Sequence, residues 1–321
     1  MKLQTQIPLT KQSDNLIGYE SKILLLGSCF VENIGEKLSY FKFQNLQNPF
    51  GILFHPKAIE TLIENAVNKK SYSEKDIFFH NEQWHCFDSH SKLSASSKED
   101  LLNALNNQVQ STNKQIHEST HIIITLGTAW VYRSMETNNM VANCHKVPQR
   151  QFKKELLPVD DIIKSLDAIM GLIRRVNSKA SIIFTVSPVR HIKDGFIENS
   201  QSKAHLMAAI HQIINQQLSI DNHGLAYFPS YEIMMDELRD YRFYAEDMIH
   251  PSQTAINYIW ERFQQVWISE KSLKIMADVE GIQKALQHKP FHLNSNAHQK
   301  FILNLEKKKL ELQKVYSHII F

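Results

Sequence analysis

Three short apolar segments, each running into a turn, constrain the fold of this chain more than any other feature. They span residues 22–26, 121–127 and 180–186, and the first and third lead into Gly27-Ser28 and Ser187-Pro188. A short, uninterrupted apolar run is typical of a strand that is buried on both faces, as in a parallel sheet. We therefore expect three buried strands, each ending in a tight turn.

Segments with helical spacing of apolar residues lie between these strands. Residues 158–176, for example, carry Ile162, Leu166, Ile169 and Ile173 on one helical face. Further helices are expected at 32–38, 56–67, 98–117, 202–218 and 253–267, a fourth strand at 225–228, and an insertion or hairpin in the aromatic-rich residues 71–97. This alternation predicts a parallel sheet covered by helices on both faces, which binds ligands at the carboxyl ends of its strands.

The composition excludes several classes of partner. The chain has 36 Lys and Arg against 33 Asp and Glu, a net charge of +3, which is too small for a general nucleic-acid or anionic-lipid surface. No window approaches the roughly 18 apolar residues of a membrane span, and the first residues lack the apolar stretch of a signal peptide. We expect a soluble, cytoplasmic protein with no membrane or nucleic-acid partner.

Cysteine and histidine spacing argues against a metal. The three cysteines, Cys29, Cys86 and Cys144, are an odd number without zinc-site spacing, so we expect reduced thiols. The 16 histidines likewise lack a helix-borne metal motif. We expect neither a metal nor an organic cofactor.

The pattern changes near residue 270. A Lys- and Glu-rich helical segment at 300–316 carries Ile302, Leu305 and Leu312 without sustained heptads. We expect one α/β domain over residues 1–270 and a helical C-terminal extension over 271–321 that packs on the core.

Ser28 is a candidate nucleophile. It lies directly after a buried strand and before a helix, where backbone N–H groups and the helix dipole face a developing oxyanion. The alternative is that Ser28 only caps the following helix. The neighbouring Cys29 is a second candidate nucleophile, although a free cysteine is more often a small buried hydrophobe.

An acid and a histidine, Asp247 and His250, lie three residues apart just before the last helix of the domain. The carboxylate can hold one imidazole nitrogen so that the other nitrogen accepts a serine proton. A capping or ion-pairing role explains the same spacing when it stands alone. The pair therefore points to catalysis only in combination with Ser28.

Together these segments resemble a known family. Gly27-Ser28-Cys29-Phe30 and the late Asp247-x-x-His250-Pro251-Ser252 are similar to the GSCFA family, a branch of the SGNH/GDSL hydrolase superfamily. The resemblance covers most of residues 20–270. It extends to four further stretches, Asn48-Pro49-Phe50-Gly51, Gly127-Thr128-Ala129-Trp130, Ala142-Asn143-Cys144-His145-Lys146 and Ser187-Pro188-Val189-Arg190.

The resemblance implies a flavodoxin-like α/β/α fold of the SGNH type and metal-free, cofactor-free acyl-ester chemistry. Ser28 matches the nucleophile, Asp247 and His250 match the acid and base, and the N–H groups of Ser28 and Gly51 match oxyanion donors. The superfamily usually has Gly-x-Asn-Asp at the third active turn, and this chain lacks that asparagine. We expect Asn143 or the Thr128 hydroxyl to replace it.

The expected function is hydrolysis of a short acyl ester, an O-acetyl group on a carbohydrate or another small molecule. Acyl transfer by the same acyl-enzyme and a non-catalytic carbohydrate-binding relic of the fold are the alternatives. Aromatic residues suit stacking on a sugar but are more often core, and Arg190 suits either an anion or a structural ion pair. The sequence leaves the oligomeric state open. The candidate substrate-binding residues are Asn48, Gly127, Trp130, His145 and Arg190.

Overall fold

The computed structural model describes residues 4–218, 224–288, 292 and 295–321. The strands are β1 (Lys22–Gly27), β2 (Gln44–Gln47), β3 (Phe78–His80), β4 (Gln83–His85), β5 (His121–Leu126), β6 (Trp130–Ser134), β7 (Met140–Val141), β8 (Phe152–Leu156), β9 (Ser181–Val186) and β10 (Leu225–Tyr227). The helices are α1 (Phe30–Tyr40), α2 (Pro56–Val67), α3 (Lys98–Glu118), α4 (Val159–Val176), α5 (Phe196–Leu218), α6 (Ser230–Glu232), α7 (Gln253–Trp267), α8 (Glu270–Gln287) and α9 (Asn296–Val315).

A parallel sheet of five strands forms the centre of the described structure, in the order β10-β9-β5-β1-β2. Counted along the chain, this is the order 2-1-3-4-5 of flavodoxin-like doubly wound sheets. The predicted α/β class with a parallel sheet is therefore confirmed. The switch point of this topology lies between β1 and β5, at the turns that carry Ser28 and Gly127.

Strand alternation divides the core into two layers. Leu24 and Leu26 of β1 pack with α2, α3, α4 and α5 on one face. Ile23 and Leu25 of the same strand pack with α1 and α7 on the other, where α8 and the C-terminal Ile319 also contribute buried side chains. Successive side chains of a strand point to opposite faces, so burial on both faces explains why β1 reads as a continuous apolar run.

Two antiparallel sheets stand apart from the central one. The β3–β4 hairpin lies in residues 71–97, as predicted, whereas β6, β7 and β8 form a three-stranded sheet that the sequence pattern did not indicate. Helix α5 begins at Phe196, six residues before its predicted start. In the described ranges no helix combines the length and apolar character that crossing a bilayer would need.

Candidate active site

Ser28 occupies a turn that only glycine can precede. Gly27 has φ +135°, and a Cβ at that position would lie 2.1 Å from the carbonyl oxygen of Thr125. The Ser28 N–H donates to that same oxygen at 3.0 Å and extends the pairing of β1 with β5. The turn therefore places Ser28 at the carboxyl edge of the sheet, with α1 beginning two residues later.

The Ser28 hydroxyl is buried, and its oxygen finds no hydrogen-bond partner among the described residues. The residue that caps α1 is Cys29, which makes no side-chain capping bond. A capping role for Ser28 is therefore not what the structure shows. A buried hydroxyl with no structural task calls for another explanation.

Asp247 and His250 form a pair, as their spacing predicts. The Nδ1 atom of His250 donates to Asp247 Oδ2 at 2.6 Å, while Asp247 Oδ1 accepts the N–H groups of Ile249 at 2.9 Å and His250 at 3.0 Å. The backbone and ring N–H groups of His250, with the N–H of Ile249, lower the pKa of Asp247 to about 2. A proton held on Nδ1 leaves Nε2 of the neutral ring as the proton acceptor.

Arg190 fixes the segment that carries this pair. Its guanidinium lies 4.5 Å from the ring of Tyr244 and 5.3 Å from that of Tyr241, and it donates to the carbonyl of Met248. Its backbone N–H donates to Ile249 O at 3.4 Å. These contacts engage part of the guanidinium, while its buried Nε atom has no partner in the described structure, so the substrate-binding role of Arg190 stays a prediction.

The structure adds Lys203, which the sequence analysis missed. This side chain of α5 is 1% exposed and donates to Gly127 O at 2.8 Å and Ser187 O at 2.7 Å, so it ties together the turns after β5 and β9. Burial lowers the pKa of Lys203 to about 7. The sequence signal that indicates its burial is its position on the same helical face as Leu206 and Ile210, which are both buried.

His191 follows the candidate Arg190 in sequence and is close enough to Lys203 and His250 to feel the charge of both. Burial, together with the charges of those two residues, lowers the pKa of His191 to about 3. Its Nε2 atom is buried without a partner in the described structure and lies 3.1 Å from where a Cβ of Gly127 would be. Gly127 therefore lets the ring approach the edge of the sheet.

The predicted oxyanion donors require a correction. The Ser28 N–H is taken by the carbonyl of Thr125, and the Gly51 N–H closes a turn to Asn48 O at 2.7 Å. A Cβ at Gly51 would also lie 2.4 Å from His90 Cβ, so this glycine is covered. Neither backbone donor is available in this structure.

Asn143 and Thr128, the predicted replacements for the missing asparagine, both have other hydrogen-bond partners. The Asn143 Oδ1 atom accepts the His145 N–H at 2.8 Å, and Thr128 Oγ1 bonds to Ser202 Oγ and to the Trp130 N–H, both at 3.0 Å. Both residues line a cavity of about 460 Å³ whose walls do not include Ser28. Their replacement of the missing asparagine therefore stays a prediction.

The remaining candidate binding residues divide between this cavity and the sheet edge. Trp130 lines the cavity, with Lys154 Nζ 4.8 Å from its ring centre and its Nε1 donating to Glu198 O at 3.2 Å. His145 also lines it, but its ring is bonded to Cys86 O at 2.7 Å and to Ser91 Oγ at 3.4 Å.

Two of these candidate binding residues, His145 and Gly127, have their polar groups bonded within the protein. Burial lowers the pKa of His145 to about 4, and both of its ring nitrogens are engaged, so its role is structural. Gly127 has its N–H bonded to Phe54 O and its carbonyl to Lys203.

The thiols are poorly suited to nucleophilic attack. Burial raises the pKa of Cys29 above its usual value, that of Cys86 to about 12 and that of Cys144 to about 11. Since the thiolate is the reactive form, these shifts argue against the Cys29 alternative. Over the described part of the chain, no cluster of three or more His, Cys, Asp or Glu side chains is arranged to hold a metal ion.

The fold and the site define a flavodoxin-like α/β protein with a buried serine and an acid–histidine pair at the carboxyl edge of its sheet. The model of the GSCFA family matches residues 22–263, and that of the GSCFA domain protein, C-terminal domain, matches residues 279–321. The chain belongs to the GSCFA family.

A comparison with curated proteins gives no match. Among solved structures, the chain is similar to an acetyl xylan esterase (Est2A) from the rumen bacterium Butyrivibrio proteoclasticus, with 10% sequence identity and a TM-score of 0.34. The similarity covers 85% of this chain and 66% of that one, so this chain spans just under two thirds of the length of that esterase.

Proposed function

We propose that this protein is an SGNH-type serine esterase that hydrolyses a short acyl ester, with Ser28 as nucleophile, His250 as base and Asp247 as its orienting acid. The observation that carries the proposal is the preformed Asp247–His250 pair, with a 2.6 Å bond to Nδ1 and two backbone N–H groups on the carboxylate. The second supporting observation is the buried Ser28 hydroxyl, which makes no hydrogen bond within the described structure.

In the proposed reaction, His250 Nε2 takes the proton of the Ser28 hydroxyl while Oγ bonds to the ester carbonyl carbon. The tetrahedral intermediate collapses, the bond to the alcohol oxygen breaks, and that oxygen receives the proton from Nε2. A water molecule then gives a proton to His250, attacks the acyl-enzyme and releases the acid, and Ser28 Oγ regains its proton.

The reaction requires a local rearrangement. Ser28 is enclosed and its hydroxyl makes no bond to His250 in this structure, so that bond has to form as substrate enters. The side chains of that pair are about half exposed, at 45% and 50%. Catalytic hydrogen bonds commonly tighten only when substrate binds.

We assign the alcohol part of the ester to the 460 Å³ cavity and propose a carbohydrate there. Phe54 lines this cavity, and its ring centre is also 5.2 Å from that of His191, a contact that supports this assignment. Trp130 and Tyr132 offer aromatic faces for a sugar ring, and the Asn143 amide offers hydrogen bonds. The enclosure of Ser28 favours a small acyl group such as acetyl.

A non-catalytic carbohydrate-binding protein is the second candidate. It is favoured by the enclosed Ser28 hydroxyl and by the occupied N–H groups of Ser28 and Gly51. In that case the cavity binds sugar and no acyl-enzyme forms. Acyl transfer remains a variant of the esterase proposal, in which a sugar hydroxyl replaces water, and an assay with and without a sugar acceptor separates the two.

Labelling with a fluorophosphonate probe tests the proposal. The wild-type protein should react covalently, Ser28→Ala should abolish the reaction, and Asp247→Asn should slow it by about 10²–10⁴-fold through loss of the oriented base. Ser187→Ala is the matched control, because Ser187 is also fully buried and also follows a buried strand. Absence of Ser28-dependent labelling in the wild-type protein would favour the binding protein instead.

A further inference from the structure

The side-chain amide of Asn48 lies beside the residue that precedes Ser28. Its Oδ1 atom accepts the N–H of Gly27 at 2.9 Å. A backbone N–H requires an acceptor, so this bond fixes the orientation of the amide, with oxygen toward Gly27 and nitrogen away from it. The Nδ2 atom is buried and has no hydrogen-bond partner within the described structure.

The other polar atoms of Asn48 are all used. Its N–H donates to Leu25 O at 2.9 Å, and its carbonyl accepts the Gly51 N–H at 2.7 Å. The backbone at Asn48 has φ +41°, so the turn after β2 is held in a left-handed conformation that asparagine tolerates. A rigidly held amide with one spare buried donor is costly to maintain and calls for a ligand or a function.

The other predicted oxyanion donors are engaged elsewhere, which leaves few candidates for this role. The N–H groups of Ser28 and Gly51 are occupied, and Asn143 and Thr128 lie on the cavity instead. Asn48, by contrast, follows β2, the neighbour of β1 in the sheet, and therefore reaches the turn at Gly27. Apart from the nucleophile Ser28 itself, Asn48 is the one predicted binding or oxyanion residue in the described structure that combines that position with a spare buried donor.

We infer that Asn48 Nδ2 is an oxyanion donor of the proposed esterase and takes the place of the asparagine missing from the turn at Gly127. When Ser28 Oγ bonds to the carbonyl carbon, the π electron pair of the carbonyl moves onto its oxygen, and Nδ2 donates a hydrogen bond to that anion. The bond is lost again when the intermediate collapses and the alcohol leaves. This inference rests on the proposed function.

Two substitutions separate the donor from the structural bond. Asn48→Asp keeps an oxygen for the Gly27 N–H but replaces the amide donor with a carboxylate oxygen, whereas Asn48→Ala removes both. Both variants should lower kcat for p-nitrophenyl acetate by about 10²–10³-fold, with KM changed only a few-fold, because the donor acts on the transition state. If Asn48 only held the Gly27 N–H, Asn48→Asp would stay active, because it keeps an oxygen for that bond.

Asn45→Asp is the matched control, since Asn45 lies on β2, the strand that Asn48 follows, and its amide bonds to Ser39 Oγ and Phe43 O on the surface side. It should keep wild-type kcat. If Asn48→Asp also turns over within threefold of wild type, the inference is wrong and the esterase proposal stands. If the wild-type protein shows no Ser28-dependent turnover, both are wrong.

A second measurement needs no substitution at Asn48. Phenylboronic acid forms a tetrahedral anion on an active serine, and the side-chain amide resonances of Asn48 should shift downfield when that adduct forms. Unchanged resonances in an adduct that does form on Ser28 would overturn the inference, even if the Asn48 variants fail to fold.

Discussion

Replacing Lys203 by methionine should change how the stability of this protein depends on pH. Lys203 is 1% exposed, and its ammonium group donates to Gly127 O at 2.8 Å and Ser187 O at 2.7 Å. Burial lowers its pKa from 10.5 to about 7. Methionine has similar length, so the substitution removes the titrating group and the two bonds without leaving a large void.

The sign follows from the two pKa values. Below pH 7 the lysine is protonated in both states, and its burial costs the folded protein about 5 kcal/mol relative to a neutral amine. Between pH 7 and 10.5 the unfolded chain binds more protons than the folded one, so the stability contributed by this group rises with pH. The slope approaches about 1.4 kcal/mol per pH unit.

Urea unfolding of wild type and Lys203→Met between pH 6 and 10, followed by tryptophan fluorescence, measures this contribution. The difference in unfolding free energy should be constant below pH 7 and should then grow in favour of wild type by about 4 kcal/mol up to pH 10. Lys164→Met, at a side chain of α4 that is 73% exposed, is the control and should give a flat difference. A flat difference for Lys203→Met as well would refute the reasoning.

Two further substitutions test the frame of the site. Gly27→Ala should destabilise the protein by about 2–5 kcal/mol, because at φ +135° its Cβ would lie 2.1 Å from a carbonyl oxygen of β5. Gly171→Ala, which has open space around its Cβ, is the control and should not destabilise it. Equal melting temperatures for the two variants would contradict this. Arg190→Met should lower the free energy of unfolding by about 1–2 kcal/mol and speed amide hydrogen exchange in residues 241–250. The reason is that it removes the contacts to two tyrosines and to Met248 O. Unchanged exchange would disprove that role of Arg190.

Much of the fold was predictable because its signal lies within short stretches of sequence. The helices α2 and α7 have the predicted bounds, and β1, β5 and β9 match the three apolar runs to within one residue. The strand β2 has no such signal, because Gln-Asn-Leu-Gln is a half-buried edge strand that needs no apolar run. Its place is decided by pairing with β1, a contact that local sequence does not encode.

The sequence by itself determined the GSCFA family and the positions of Ser28 and Gly127 at strand ends. It also determined the pairing of Asp247 with His250, because two side chains three residues apart can form a hydrogen bond within one turn. Only the tertiary structure decided which donors are occupied and which are spare. Lys203 reaches the turns after β5 and β9 from a distant helix, and Asn48 reaches Gly27 from the neighbouring strand. The physical reason is that packing brings together polar groups that are far apart in sequence, so that it satisfies most of the buried ones and leaves a few, such as Ser28 Oγ and Asn48 Nδ2, without a partner in the described structure.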